Sequence, residues 1–381
     1  MPPAERKLEP FKELFNRAVV EDVSTHIKRR WSGFDAKGFI DHALKDFQKL
    51  EMKARANQIA AALVAHMPTD VPRALKILIS SLRPLDKNGE PIADASKGIA
   101  KMAVWPMAEY VARVGMDHPN AAFAALRELT IRSTAEFAVR PFIVKHPKKA
   151  QAVLKTWAKD ANHHVRRLAS EGSRPRLPWG LRLKAFVADP APVLSLLEML
   201  KDDPSEYVRR SVANSLNDIA KDHPDLIAAL AARWLKNASQ PRVRLVRHAC
   251  RTLIKAGHGK TLAALGFAAK PAVKLKDFKL VTPKVTFGAH AGFSAVLHST
   301  ATTAQNIVVD YVIHHRKKNG GTAPKVFKWK TLVLGPKDSV RLERRHAFKP
   351  ITTRVYYPGR HRVEVMVNGR VICGADFDLL V

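Results

Sequence analysis

Three stretches decide how this chain reads: TIRSTAEFAVRPF at residues 130–142, HVRRLASEGSRPRLPW at 164–179 and YVRRSVANSLNDIAKD at 207–222. Glu136 and Glu171 occupy equivalent registers of the first two and lie 35 positions apart (171 − 136). Stacked two-helix repeats have periods of roughly 33 to 47 residues. The spacing therefore predicts two carboxylates on the same face of neighbouring repeats. Around them stand Arg132, Arg140, Arg166, Arg167, Arg174 and Arg176, so the acids sit in a field of guanidinium groups. A Val-Arg dipeptide opens three successive helical patterns, at Val165, Val208 and Val243, in steps of 43 and 35.

Towards the N-terminus the apolar residues recur at intervals of three and four, as in Phe11, Leu14 and Phe15, then Phe39, Ala43 and Phe47, then Ile59, Ala62 and Leu63. That is the pattern of amphipathic helices. Breakers at Pro68, Pro72, Pro84 and Lys87–Pro91 separate them, and helices alternate with short polar turns as far as Gly266. At about Ala268 the pattern changes to alternation, in 284–287, 307–313, 328–334, 354–357 and 362–367. Asn368-Gly369 follows, a strong hairpin signal, and then Val371-Ile372. About seven short strands in roughly 105 residues fit a β-sandwich of immunoglobulin type. The expected fold is an α-solenoid of HEAT-like repeats followed by an all-β immunoglobulin-like sandwich. Its expected boundaries are a repeat domain at 1–267, a linker at 268–279 and a sandwich at 280–381.

The 381 residues carry 65 Lys plus Arg against 34 Asp plus Glu, a formal charge of +31. A surplus of that size points to a polyanion, of which nucleic acid is the commonest. Membrane binding is disfavoured, because no run of about 18 apolar residues occurs. Cys250 and Cys373, the only cysteines, fall in different expected domains, which excludes a disulfide framework or a Cys-ligated zinc site. The 16 histidines lack the HExxH spacing, so His163-His164 and His314-His315 read as surface or phosphate-contacting residues; no metal and no cofactor are expected. The charged start, MPPAERKLEPFKELF, argues against a signal peptide and for a cytoplasmic protein, expected to be a monomer.

In such repeats the first turn of the inner helix offers basic side chains and backbone N–H groups to phosphate. Arg166, Arg167, Arg209, Arg210, Arg244 and Arg247 hold those positions, and Arg140 and Arg174 flank the acids; all eight are candidates for gripping DNA. The competing role is a ladder of ion pairs to Asp202, Asp203 and Glu206. Glu136 has Arg140 four residues on, an ordinary helical pairing. Glu171 stands where Gly172 and Ser173–Pro178 end a helix, near Trp179, and Asp218 belongs to the next repeat, so three repeats each offer one acid to a shared groove. Carboxylates held beside an aromatic suit a reaction that builds positive charge on a sugar, as N-glycosidic cleavage does. A base that is already cationic departs without a general acid.

The strings STAEFAVRPF, HVRRLASEGSRPRLPW and YVRRSVANSLNDIAKDHPDL, with FNRAVVEDVSTHIKRR and WPMAEYVARVGMDHP further upstream, resemble the AlkC-type bacterial DNA-alkylation-repair glycosylases, relatives of the AlkD HEAT-like-repeat family. The resemblance covers roughly residues 9 to 266, and the C-terminal sandwich resembles the immunoglobulin-like domain of one branch. It implies a glycosylase that removes small cationic lesions, chiefly 3-methyladenine and also 3-methylcytosine, from duplex DNA without drawing the base into a deep pocket. By motif position it makes Glu136, Glu171 and Asp218 the acidic site residues and Trp179 the aromatic contact. Trp105 and Glu109 echo a Trp–acid pairing elsewhere in the wider family and read here as structural. The alternative is a non-catalytic HEAT-repeat scaffold that binds nucleic acid.

Overall fold

The computed structural model describes residues 10–268, 270–351 and 354–381; the charged N-terminal stretch 1–9 lies outside them. The chain divides into two compact units, the first ending at Asp218 and the second running from Ile219 to Val381. The first holds α1 (Arg17–Arg30), α2 (Ala36–Leu44), α3 (Met52–His66), α4 (Val71–Ser80), α5 (Val104–Val114) and α6 (Pro119–Arg132). It continues with α7 (Val139–Lys145), α8 (Pro147–Trp157), α9 (His163–Gly172), α10 (Lys184–Ala188), α11 (Ala191–Leu200) and α12 (Glu206–Ile219), the last turn of which reaches the boundary.

Local chemistry fixes the helix starts. Side chains of Asn16, Asp35, Asp70 and Asn162 accept from backbone N–H groups in the first turns of α1, α2, α4 and α9. Each such cap satisfies a donor that has no partner within the helix. Helices α6 and α8 open instead on His-Pro, at His118-Pro119 and His146-Pro147, where proline's missing N–H costs nothing. Successive helices then pack on one another: α4 on α6, and α9 on α6, α8 and α11.

A ladder of ion pairs joins the repeats. Arg127 Nε donates to Asp160 at 2.8 Å, and one repeat on Arg166 grips both oxygens of Asp203 at 2.6 and 3.0 Å. Each aspartate also caps its own turn, taking the N–H of Asn162 or of Ser205. Arg166 further donates to the carbonyls of Asp160 and Ala161, and Arg209 to those of Asp203 and Pro204. Arg166 and Arg209, expected to contact phosphate, are engaged in the ladder in this structure, at the turns 160–162 and 203–205 where an aspartate and backbone carbonyls offer acceptors.

The second unit contains α13 (Pro224–Leu235), α14 (Gln240–Ala249), α15 (Arg251–Lys255) and α16 (Gly259–Ala264), then β1 (Val273–Leu280), β2 (Lys284–Thr286), β3 (His290–Ser299) and β4 (Gln305–Arg316). Strands β5 (Thr322–Leu334), β6 (Ser339–Ala347), β7 (Gly359–Val367) and β8 (Arg370–Leu380) complete it. The strands form a three-stranded sheet in the order β1-β3-β6 and a five-stranded sheet in the order β2-β8-β7-β4-β5. Pairing is antiparallel except between β2 and β8. Alternate residues of β4 and β7, Ile307, Val309, Tyr311, Ile313, Val363, Val365 and Val367, are buried between the sheets with Phe293, Leu297 and Phe377. The sandwich is immunoglobulin-like.

Two local expectations change. Strand β1 covers most of the stretch expected to be linker, and residues 354–357, expected as a strand, form only an isolated bridge at Arg354. The compact units part at 218/219, and within the second unit Ile254, Leu262, Leu265 and Phe267 pack with Val308 of β4. Asn368 and Gly369 form the hairpin turn with φ of 47° and 76°, the left-handed geometry of a type I′ turn. A Cβ at Gly369 would stand 2.0 Å from Gly257 Cα, so this turn admits no side chain there.

Candidate active site

Helix α9 places Glu171 in its last turn, and Gly172 ends the helix as expected. Glu171 is almost wholly buried and both its oxygens are engaged. Oε1 accepts from Arg174 at 2.6 Å and Oε2 from the Ser211 hydroxyl at 2.6 Å. Arg174 also donates from Nε to Asp218 Oδ2 at 2.9 Å, joining two acids 47 positions apart (218 − 171). On the other side Arg167 donates to Glu136 and lies 3.6 Å from Glu171 Oε1. The three acids named from the sequence therefore belong to one chain of ion pairs, Glu136–Arg167–Glu171–Arg174–Asp218.

Three carboxylates alternate with the two bridging guanidinium groups, and the buried Arg140 lies near enough to act on all three acids. Burial works against the Arg167 and Arg174 cations, but the carboxylates beside them outweigh it and hold both pKa values above the ordinary arginine value. The guanidinium of Arg167 also lies over the Tyr207 ring, 4.9 Å from its centroid. Such mutual locking fixes the carboxylates in place before any substrate arrives. Among the described residues, both bonds to Glu136, from Thr134 and Arg167, fall on Oε2. Oε1 is left open on the most accessible of the three acids, whose side chain is 14% exposed against 6% for Glu171 and 3% for Asp218.

The helical pairing expected between Glu136 and Arg140 does not form. Glu136 lies in the turn before α7, outside any helix, and Arg140 spends its hydrogen bonds on backbone carbonyls. Arg140 is fully buried and donates to the carbonyls of Gly172 at 2.8 Å and Leu181 at 2.6 Å. Its burial, with Arg174 nearby, lowers its pKa to about 10. A guanidinium held this way cannot reach phosphate, so Arg140 is a strut between the end of α9 and the loop after it. Arg174 and Arg167 are likewise committed to the acids.

That loop carries Trp179, which is 69% exposed with a φ of 64°, an unusual conformation for a residue with a side chain. Lys53 Nζ donates to the Trp179 carbonyl at 3.2 Å, and Trp179, Phe11, Met52 and Lys53 line an open groove. Of the remaining DNA-binding candidates, Arg210, Arg244 and Arg247 are exposed. Arg210 pairs with Glu206 at 2.8 Å on the surface, a weak and screened contact. Trp105 donates to Glu109 at 3.2 Å and packs against Phe15 and Phe137, a structural role.

Sequence reading missed Ser211 and underweighted Thr134, the two hydroxyls that hold Glu171 and Glu136. The signal in hand was only their position, each near an arginine of the repeat pattern. His163 and His164, expected to lie at the surface or to contact phosphate, are half-buried and meet Glu90, with ligand-type atoms of all three within 4.8 Å of one another. Such a set could hold a divalent cation, though Glu90 is already bonded to His164 at 3.2 Å and ties the 86–90 turn to α9. Among the described residues no helix is long and apolar enough to cross a membrane.

Comparisons with known proteins bear on the family and the fold. A family model described as "DNA alkylation repair enzyme" matches residues 130–253, and one described as the YhaZ C-terminal Ig-like domain matches 274–381. The chain is 35% identical over 370 residues to "Uncharacterized protein YhaZ" of Bacillus subtilis (strain 168), covering 97% of this chain and 99% of that one. It is similar to a solved structure of the Pseudomonas fluorescens alkylpurine DNA glycosylase AlkC bound to DNA containing an abasic site analog, with a TM-score of 0.88 and 37% identity over 97% of this chain and 99% of the other. A chain of ion-paired acids between helical repeats, followed by an immunoglobulin-like sandwich and matched nearly end to end by these relatives, belongs to the AlkC-type family of DNA alkylation repair enzymes.

Proposed function

We propose that this protein is a DNA glycosylase that releases small cationic alkylated bases, 3-methyladenine and 3-methylcytosine, from duplex DNA. The observation that carries the reading is the locked series Glu136–Arg167–Glu171–Arg174–Asp218 with an unoccupied oxygen on Glu136. The similarity to an alkylpurine glycosylase bound to abasic DNA supports it. In the reaction the C1′–N bond breaks and its electron pair leaves with the base. An alkylated cationic base departs neutral, and positive charge develops on the sugar. The preorganised carboxylates of the cluster, Glu136 above all with its open oxygen, stabilise that sugar cation. Water then adds at C1′, and its proton passes to a carboxylate, for which Glu136 Oε1 is the group left open.

Trp179 acts from the loop that Arg140 holds. The Arg140 guanidinium reaches both Gly172, beside Glu171, and Leu181, two residues after Trp179, so acid and indole share one support. An indole face at the deoxyribose adds cation–π attraction as charge develops. Duplex DNA carrying alkylated bases is the partner, with Arg210, Arg244 and Arg247 as exposed cations for its phosphates.

Chromatography of free bases released from methylated duplex DNA tests the reading. The wild-type chain is expected to release 3-methyladenine and the Glu171→Gln variant to release it at least 100-fold more slowly, the scale of losing one preorganised electrostatic contact. No release by the wild type from any alkylated duplex, with DNA binding intact, would leave a HEAT-repeat scaffold in place of an enzyme.

A further inference from the structure

The unit from Ile219 onward holds a second polar feature that the glycosylase reading does not use. Along β4, Ile307, Val309 and Tyr311 face the sandwich core. Val308 and Asp310 face the opposite way, and Val308 packs with Phe267 and Leu262. Asp310 stands at a register shift between β4 and β5, with 2% of its surface exposed, and its Oδ2 has no hydrogen-bond partner. An unpartnered buried carboxylate oxygen is costly, and burial raises the Asp310 pKa to about 6 although Lys255 and Lys328 oppose the shift. Such a group calls for a ligand.

Asp310 lines a cavity of about 210 Å³ together with Phe267, Val308, Arg247, Arg251 and Lys328. The ammonium of Lys255, also at the cavity, is directed to the Val326 carbonyl at 3.3 Å. The site thus combines a buried acceptor, an apolar wall with an aromatic ring, and several cations. Its volume falls below the roughly 300 Å³ of drug-sized sites, which suits one planar group with its charged end outside.

Each feature narrows the occupant. A carboxylate needs an edge of N–H donors, and two adjacent donors match its two oxygens. An ammonium or guanidinium group would supply them, but Arg247, Arg251, Lys255 and Lys328 repel a cation and attract a phosphate. A purine that offers only donors on one edge and carries phosphate meets both demands. We propose that this cavity binds a guanine nucleotide, with the N1–H and N2–H₂ edge of the base on Asp310, the ring against Phe267 and the phosphate on Arg247 and Lys328. Adenine, cytosine and thymine mix donors with acceptors on the corresponding edge and place an acceptor against the carboxylate. The base can come from a free nucleotide or from an unpaired guanine in a DNA strand.

Isothermal titration of the full chain with GMP, AMP and guanosine tests this. GMP is expected to bind at least tenfold more tightly than AMP. The near-isosteric Asp310→Asn variant is expected to weaken GMP at least tenfold. Arg247 is exposed, so Arg247→Ala should fold normally; it is expected to weaken GMP severalfold and leave guanosine unchanged. Competition then separates the sources. Because Arg247 also serves duplex phosphate in the proposed function, the competition is run with the Arg247→Ala chain. Displacement of GMP by an oligonucleotide with one unpaired guanine, and not by its fully paired counterpart, assigns the site to a DNA base; displacement by neither assigns it to the free nucleotide; equal displacement by both would overturn the proposal. No GMP binding at millimolar concentration, equal binding of GMP and AMP, or unchanged GMP binding by a folded Asp310→Asn variant would overturn the proposal. None of these readouts depends on base release, so the glycosylase reading stands or falls separately.

Discussion

Arg140 and Leu181, 41 positions apart, are joined by a hydrogen bond of 2.6 Å from Arg140 Nε to the Leu181 carbonyl. The bond spans from α7 to the loop that bears Trp179, and the other arm of the same guanidinium holds the end of α9. Arg140→Lys keeps the charge and loses the planar fork, so one of the two carbonyls is left without its donor. Base release is expected to fall about tenfold or more. Trp179 fluorescence should become more readily quenched by acrylamide. Unchanged release and unchanged quenching together would show that the loop holds its conformation without the strut.

Glu136 tests where the chemistry is concentrated. Glu136→Gln preserves shape and Thr134 contact but removes the charge that faces Arg167. Single-turnover release of 3-methyladenine is expected to drop by roughly 100-fold or more, since the loss falls on charge stabilisation in the transition state. A drop well below tenfold would transfer the main role to Glu171 and Asp218.

Salt dependence separates ladder arginines from those proposed to meet DNA. Arg166→Ala is expected to lower stability by about 3 to 5 kcal/mol, because it strands the buried Asp203 carboxylate. It should leave the slope of log affinity against log salt unaltered. Arg244→Gln and Arg247→Gln, on exposed positions, are each expected to reduce that slope by about 0.9. Fluorescence anisotropy on a labelled duplex at several salt concentrations reads the slope, and a flattened slope for Arg166→Ala would return that residue to the DNA interface.

Acid should weaken the sandwich. Burial lowers the pKa of His315 to about 3 and of His346 to about 4, with neighbouring cations adding to the shift. The unfolded histidine titrates near 6.5. Between these values the unfolded chain binds protons that the folded chain does not, so stability falls as pH falls. The loss is at most about 1.4 kcal/mol per pH unit for each histidine, beginning near pH 6.5 and levelling off at about 4 for His346 and about 3 for His315. Thermal melts from pH 7.5 to 4.5 measure it. His315→Phe should reduce the pH dependence, and an unaltered dependence would place the acid sensitivity elsewhere.

The sequence by itself determined the helical repeats, the strand-rich C-terminus and the three acids. These are properties of spacing: apolar residues at three and four mark a helical face, alternation marks a strand, and Asn368-Gly369 accepts the positive φ of its turn whatever surrounds it. Tertiary structure alone decided what each arginine does. Arg166, Arg167 and Arg174 look alike along the chain, yet Arg166 meets Asp203 in the next repeat while Arg167 and Arg174 meet acids of several repeats. Local spacing even suggested the wrong partner for Glu136, because a turn replaces the helix needed to bring Arg140 round to it. The same limit hid Ser211 behind Glu171 and the solitary carboxylate of Asp310. A long flexible cation takes its partner from whatever lies within reach after the helices have packed, and that distance is not written in sequence order.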